Sequence, residues 1–290
     1  MKPPPFAFVT AESIEHAVAE LVRSNGEGKL IAGGQSLMPI LNFRLLDPSL
    51  LIDIGKIPEL VGISEADGGL SIGALARHVD LETSHLVAQH FPVLTEAVRH
   101  VAHVAIRNRG TLGGSLCHAD PAAELPMMAI LLNAEICVFG PDGERQVPAE
   151  AFFLGALTTV LEEDEIVTHI NLPYLPEGTG WGFEEISRRS GDFALAAAAA
   201  TVSLVDGKIS EARLAVTGVD DLPLRIRAAE DVLCGSVLDD AVISSASQIV
   251  CDAVNPNSDV QASADYRRHL IGVLVGRVLR SAKSRAQGGT

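Results

Sequence analysis

No stretch of this 290-residue chain approaches the roughly eighteen consecutive apolar positions that a membrane-spanning helix requires. Hydrophobic residues supply 47% of the sequence, but in short runs broken by glycine, proline or charge, so a soluble protein with room for two buried cores is expected. Basic charge is scarce: 22 Lys and Arg stand against 37 Asp and Glu, a formal charge of -15. Nucleic-acid backbones are held by clustered cations and are therefore excluded as partners. Cysteine is scarce too, and Cys117, Cys137, Cys234 and Cys251 are too scattered for a zinc site or an iron-sulfur cluster. They read as free, mostly buried thiols. The proline-interrupted start MKPPPFAFVT lacks a secretory pattern, which points to a cytoplasmic location. GxGxxG, GxxxxGK[ST] and GxSxG are all missing, and with them the signatures of Rossmann dehydrogenases, phosphate-loop enzymes and α/β-hydrolases.

Local signals divide the chain. An apolar run at Phe6–Val9 precedes Ser13, a good N-cap, and Ile14, Ala17, Val18, Leu21 and Val22 follow at helical spacing until Asn25-Gly26. Lys29–Ala32 and Leu50–Asp53 read as short strands, the first of them buried, giving a small βαβ layer. Turns at Asp67-Gly68-Gly69 and Pro141-Asp142-Gly143 mark a second set of strands, interleaved with helices near Val93–Val101 and Ala122–Leu132. Leu172–Gly182, with two prolines and three glycines, has the composition of a linker. Beyond it, Asp206-Gly207 joins strands at Ala196–Val205 and Lys208–Val216, despite the helical propensity of the alanine run. Helices near 227–234, 239–253 and 264–286 complete an α+β organisation.

Two glycine-rich segments carry the chemistry. Ala32-Gly33-Gly34-Gln35-Ser36-Leu37 follows a strand, and its paired glycines let successive N–H groups approach a phosphate, with the Ser36 hydroxyl as a further donor. Thr111-Leu112-Gly113-Gly114-Ser115 repeats the pattern of two glycines flanked by hydroxyls. Two such nests suit a ligand with adjacent phosphates.

Together with SRRSGDFALAAAA, which opens at Ser187, these segments resemble the FAD-binding medium subunit of the molybdenum hydroxylases, the family of carbon monoxide and xanthine dehydrogenases. The resemblance implies a two-subdomain FAD-binding domain of the vanillyl-alcohol-oxidase type at 1–175, divided near residue 57. A C-terminal domain at 178–288 would hold a three-stranded antiparallel sheet with helices. It implies that Ala32–Leu37 and Thr111–Ser115 wrap the pyrophosphate and ribityl chain. His118 would lie beside them, and either Asp120 or Glu124, or both, would meet the flavin hydroxyls. Phe193, with Ile166 or Val167, would contact the isoalloxazine. Ser115 stands where some relatives carry asparagine. Partner subunits are implied: a large one with the molybdenum cofactor and a small one with iron-sulfur clusters, in a dimer of heterotrimers. Electrons would pass from the clusters to FAD and on to an external acceptor, and no residue here would act on the organic substrate.

Other groupings carry less. His100 and His103 are spaced to share a helix face, but no third ligand completes a metal set. Arg188 and Arg189 suit either a solvated surface or the stabilisation of an anionic flavin. The basic stretch Arg277–Arg285 reads as the solvated face of a last helix whose buried face is Ile271, Leu274, Val275, Val278 and Leu279. A self-contained FAD oxidoreductase of the same flavin fold is the alternative, and a scaffold that has lost its flavin is a third reading, against which the intact glycine segments stand.

Overall fold

The computed structural model describes residues 2–288. Strands Ala7–Thr10, Gly28–Ile31 and Leu50–Asp53 form a parallel three-stranded sheet in which the last lies between the other two. Helix Ile14–Ser24 crosses between the first two. The Ser13 hydroxyl accepts the His16 N–H at 3.1 Å, and Asn25 ends the helix with φ 51°, the left-handed conformation asparagine tolerates. Ala17, Val18 and Leu21 pack with Ile52, Ile54 and Ile57. The Gly28–Ile31 strand lies at the sheet edge with Lys29 exposed, so it is not the fully buried strand expected.

A five-stranded antiparallel sheet follows, ordered Ile63–Ala66, Gly69–Gly73, Ile166–Pro173, Glu135–Gly140, Gly143–Pro148. Its core is closed by helices that include Pro92–His100 and Glu124–Leu131, the latter buried on every side, as a helix apolar all round must be. The linker is shorter than its composition suggests, because the sheet retains Pro173 and the next strand starts at Gly180.

That strand, Gly180–Ser187, opens a sheet continued by Ala194–Val205, Lys208–Thr217 and Leu224–Arg225, four strands instead of the expected three, because the two-residue segment Leu224–Arg225 pairs with Ala215 and Val216. Helices Arg227–Leu233, Asp240–Ala253 and Ala264–Ala286 cover one face. The alanine strand is buried on both faces: Ala196, Ala198 and Ala200 join the C-terminal core, while Ala197 and Ala199 join the core of the preceding domain. Only small side chains fit there. On the neighbouring strand a Cβ on Gly180 or Gly182 would strike the carbonyl oxygens of Ala282 and Val278 in the long helix. The basic stretch of that helix is not simply solvated: Arg277 reaches Glu184 at 3.2 Å, Arg280 reaches Asp240 at 2.9 Å, and Arg285 lies over the Trp181 ring at 3.7 Å.

Candidate functional site

A cleft of about 650 Å³ runs between the parallel layer and the five-stranded sheet, and the loop that opens the alanine strand closes one end. The first glycine segment forms one wall. Gly34 has φ +69°, and a Cβ on Gly33 would run into the Arg109 carbonyl oxygen, so this glycine is what allows the two motifs to approach. Gln35 Nε2 donates to the Gly33 carbonyl at 2.8 Å. Among the hydrogen bonds of the described residues, none is donated by the backbone N–H of Gly33, Gly34, Gln35, Ser36 or Leu37. Five adjacent free donors beside a left-handed glycine make an anion cradle.

The second segment is built differently. Thr111 is the N-cap of helix Leu112–His118 and its hydroxyl accepts the Gly114 N–H at 3.2 Å. The Leu112 and Gly113 N–H groups donate to the carbonyls of Ala76 and Ala74, at 2.9 and 2.8 Å, and that of Ser115 donates to Thr111. Its first-turn donors are therefore occupied, which corrects the expectation of a second free nest. Gly113 serves close packing, since a Cβ there would lie 2.7 Å from Ala74 Cβ. Leu112 points into the core, 2% exposed, and does not line the cleft. Gly114 faces the cleft, where an added Cβ would meet only the Thr111 hydroxyl, at 2.8 Å.

Every other expected site residue lines the cleft: Ala32, Gly33, Gly34, Gln35, Ser36, Leu37, Thr111, Gly113, Gly114, Ser115, His118, Asp120, Glu124, Ile166, Val167 and Phe193. Phe193, in the loop that closes one end, is 60% exposed. Asp120 Oδ1 accepts the Ala122 N–H at 2.9 Å. Glu124 is buried, and its carboxyl meets that of Glu185 in the next domain. Burial, chiefly, pushes both well above the usual carboxylate range.

Sequence reasoning missed His78. It is 5% exposed, lines the cleft, and its Nε2 lies 3.1 Å from the Thr111 carbonyl, which requires Nε2 to carry the proton and leaves Nδ1 a buried acceptor with no partner. Burial pushes its pKa down to about 4, against the raising effect of Thr111, and nearby Arg107 lowers it further. Lys29 was missed too, a lysine that shares the cleft lining with Asp120, Glu124, Glu162, Glu163, Glu165 and Asp192. An anionic ligand in such surroundings must be held mainly by backbone N–H groups. Arg188 and Arg189 are exposed and outside the lining. His100 ends one helix while His103 caps the next, so they share no helix face. Of the thiols only Cys137 is buried; Cys251 is half-buried, Cys234 is exposed, and Cys117 opens onto the cleft, against the expected burial.

The cleft, cradle and covering domain define a protein that binds an extended phosphate-bearing cofactor. Residues 4–175 match the family described as FAD binding domain in molybdopterin dehydrogenase, and residues 181–282 match the CO dehydrogenase flavoprotein C-terminal domain. The chain is 42% identical to the 6-hydroxypseudooxynicotine dehydrogenase complex subunit alpha of Paenarthrobacter nicotinovorans, over 99% of this chain and 97% of that one. It is 40% identical to the nicotine 6-hydroxylase medium subunit of the same organism, over 98% and 100% respectively. The solved carbon monoxide dehydrogenase from Hydrogenophaga pseudoflava superposes with a TM-score of 0.97 at 38% identity, covering 98% of this chain and 99% of the other. This chain belongs to the family of FAD-binding medium subunits of molybdenum hydroxylases, and FAD is its cofactor.

Proposed function

We propose that this chain holds FAD with the pyrophosphate against the free N–H groups of Gly33–Leu37 and passes electrons from a partner's iron-sulfur clusters to an external acceptor. The single observation that carries the binding mode is that cradle of unpaired donors beside Gly34, on the wall of the one cleft that also gathers the second motif and Phe193. When bound, FAD supplies the redox chemistry, and the protein supplies position and surroundings. Ser36 caps a short helix without using its hydroxyl for the cap, so that hydroxyl serves as a further donor to phosphate. Thr111 and Ser115 line the wall facing the cradle; there the glycine pair gives room and fixed backbone, not donors. His118 and Asp120 reach the ribityl and hydroxyl groups. Ile166 and Val167 offer an apolar surface to the ring, and Phe193 covers it from the C-terminal domain.

The substrate is hydroxylated elsewhere in this reading, on a large subunit bearing the molybdenum cofactor, with a small iron-sulfur subunit between the two, in a cytoplasmic dimer of heterotrimers. Among the described residues no helix is long and apolar enough to cross a membrane. Support for a subunit over a self-contained oxidoreductase comes from the match along nearly the whole chain to components of complexes, C-terminal domain included. The purified chain should take up FAD and regain a flavin spectrum, and should hold FMN far more weakly, because FMN lacks the second phosphate and the adenosine. Equal affinity for the two would overturn the binding mode.

A further inference from the structure

Glu124 begins the buried helix Glu124–Leu131 at the cleft wall, and Glu185 lies in strand Gly180–Ser187 of the other domain. Along that strand side chains alternate. Glu184 turns to the long C-terminal helix and pairs with Arg277 at 3.2 Å, so Glu185 turns the other way, with Phe183, which belongs to the first domain's core. There the two carboxyls meet, and among the described residues no group donates a hydrogen bond to the buried Glu185 Oε2. We propose that Glu124 and Glu185 form a shared-proton clasp, one carboxyl donating its O–H to the other's carboxylate across the seam between the domains, and that losing this proton to solvent loosens the seam at the cleft wall.

Among the described residues no cation is placed to take the proton's role. On helix Pro92–His100, Arg99 and His100 lie 3.3 and 3.8 Å from Glu96, and the His100 ring packs on Phe183 at 4.9 Å. Strand Lys208–Thr217 offers Arg213, engaged with Glu211 at 2.7 Å, and Arg225 of the next strand is engaged with Glu230 at 2.7 Å. Glu150, at the start of the Ala149–Phe152 helix, is paired with Arg227 at 2.9 Å. Strand Ala194–Val205 carries no ionisable side chain, and helix Leu112–His118 contributes only Cys117 and His118, on the cleft. Asp120 adds negative charge. Two adjacent buried carboxyls with no cation between them cannot both ionise at modest expense.

The position gives the clasp its consequence. Asp120, Ala123 and Glu124 line the cleft, and the segment 120–124 is gripped by the C-terminal domain at two points. At the first, Thr217 Oγ1 and the Gly218 N–H donate to the Pro121 carbonyl at 2.7 and 2.9 Å. The second is Glu124 on Glu185. Deprotonation removes the second grip and sets two carboxylates against each other, leaving Pro121 as the remaining hydrogen-bonded grip on this part of the wall.

The sign follows from proton occupancy. Burial, chiefly, raises both carboxyls, to about 7 for Glu124, where Asp120 adds to it, and about 8 for Glu185, where Glu124 does, so above the ordinary value of 4.5 the folded chain holds protons that the unfolded chain has released. Stability therefore falls as pH rises towards 8 and levels beyond it. Melting of the full chain, followed by circular dichroism from pH 6.5 to 9 with and without saturating FAD, tests this. The wild type should lose roughly 5 °C or more across that range. Glu185→Gln, whose amide donates permanently to Glu124, should lose less than half as much, and Glu124→Gln should behave alike. Infrared difference spectra of the wild type should show a protonated carboxyl band at pH 6.5 that fades by pH 9 and is altered in both variants. Equal pH slopes in all three proteins, or no protonated carboxyl at pH 6.5, would overturn the clasp. The FAD-free measurement decides this independently of where FAD binds.

Discussion

Replacing Gly34 with alanine separates a cradle that binds phosphate from a turn that merely reverses the chain. At φ +69° an L-residue is disfavoured by about 1–2 kcal/mol. The new Cβ itself fits, since it would meet Met38 Cγ at 3.3 Å and Ile31 Cδ1 at 3.5 Å, contacts that slight adjustment absorbs. The domain should survive, with a melting temperature lowered by roughly 2–8 °C. Relief of the strain comes by rotating the peptides on either side, which turns the N–H groups of residue 34 and Gln35 away from their common focus. Each hydrogen bond to a charged group contributes about 1.5–3 kcal/mol, so losing two weakens FAD binding by on the order of a hundredfold to ten-thousandfold. Titration by flavin fluorescence quenching measures the affinity, and far-UV circular dichroism confirms the fold. A Gly34→Ala protein that keeps FAD within about threefold of wild-type affinity would refute the reasoning, because losing even one such bond exceeds that factor.

Gly114→Ala should act more mildly: its Cβ crowds the Thr111 hydroxyl and weakens an N-cap worth about 1 kcal/mol, and FAD affinity should fall by less than about tenfold, since the Gly114 N–H is already engaged. A larger loss than in Gly34→Ala, by the same titration, would reverse the roles assigned to the two motifs. His78, with its folded pKa depressed from 6.5 to about 4, contributes stability that is complete above pH 6.5 and lost as pH falls through 4. The full effect is on the order of 3 kcal/mol, and His78→Gln should flatten the acid side of a melting-temperature profile between pH 6.5 and 4. The isolated FAD-loaded chain should not turn over an alcohol or a heterocycle in a steady-state dye-reduction assay; sustained turnover would favour the self-contained reading.

What could be read from sequence was what is decided locally. Ser13 and Asn25 bound their helix because a cap acts on residues two to four positions away, and the hairpin at Asp206-Gly207 follows from a turn that needs left-handed residues. The Ala196–Ala200 run shows the opposite case. Propensity favours helix, yet the segment is an inner strand of its sheet, because alternate alanines fill two different cores between the long helix and the FAD domain. That constraint comes from helices on both sides and leaves no mark in the run itself.

The candidate site divides along the same line. The free donors of Gly33–Leu37 belong to one short stretch, so the spacing of glycines there was enough to place them. The second motif looks alike in sequence and differs in chemistry, because the acceptors that occupy Leu112 and Gly113 are the Ala76 and Ala74 carbonyls, supplied from a distant part of the chain. His78 reaches Thr111 across 33 positions, and Glu185 reaches Glu124 from another domain. A glycine pair announces that backbone must come close to something. At Gly33 that something is the Arg109 carbonyl and at Gly113 it is Ala74, so in both motifs one glycine serves packing, and the neighbouring one, Gly34 or Gly114, faces the cleft. Because, of these two glycines, only Gly34 sits among unpaired N–H groups, the proposed binding mode concentrates affinity for phosphate on the first motif and leaves the second to set shape.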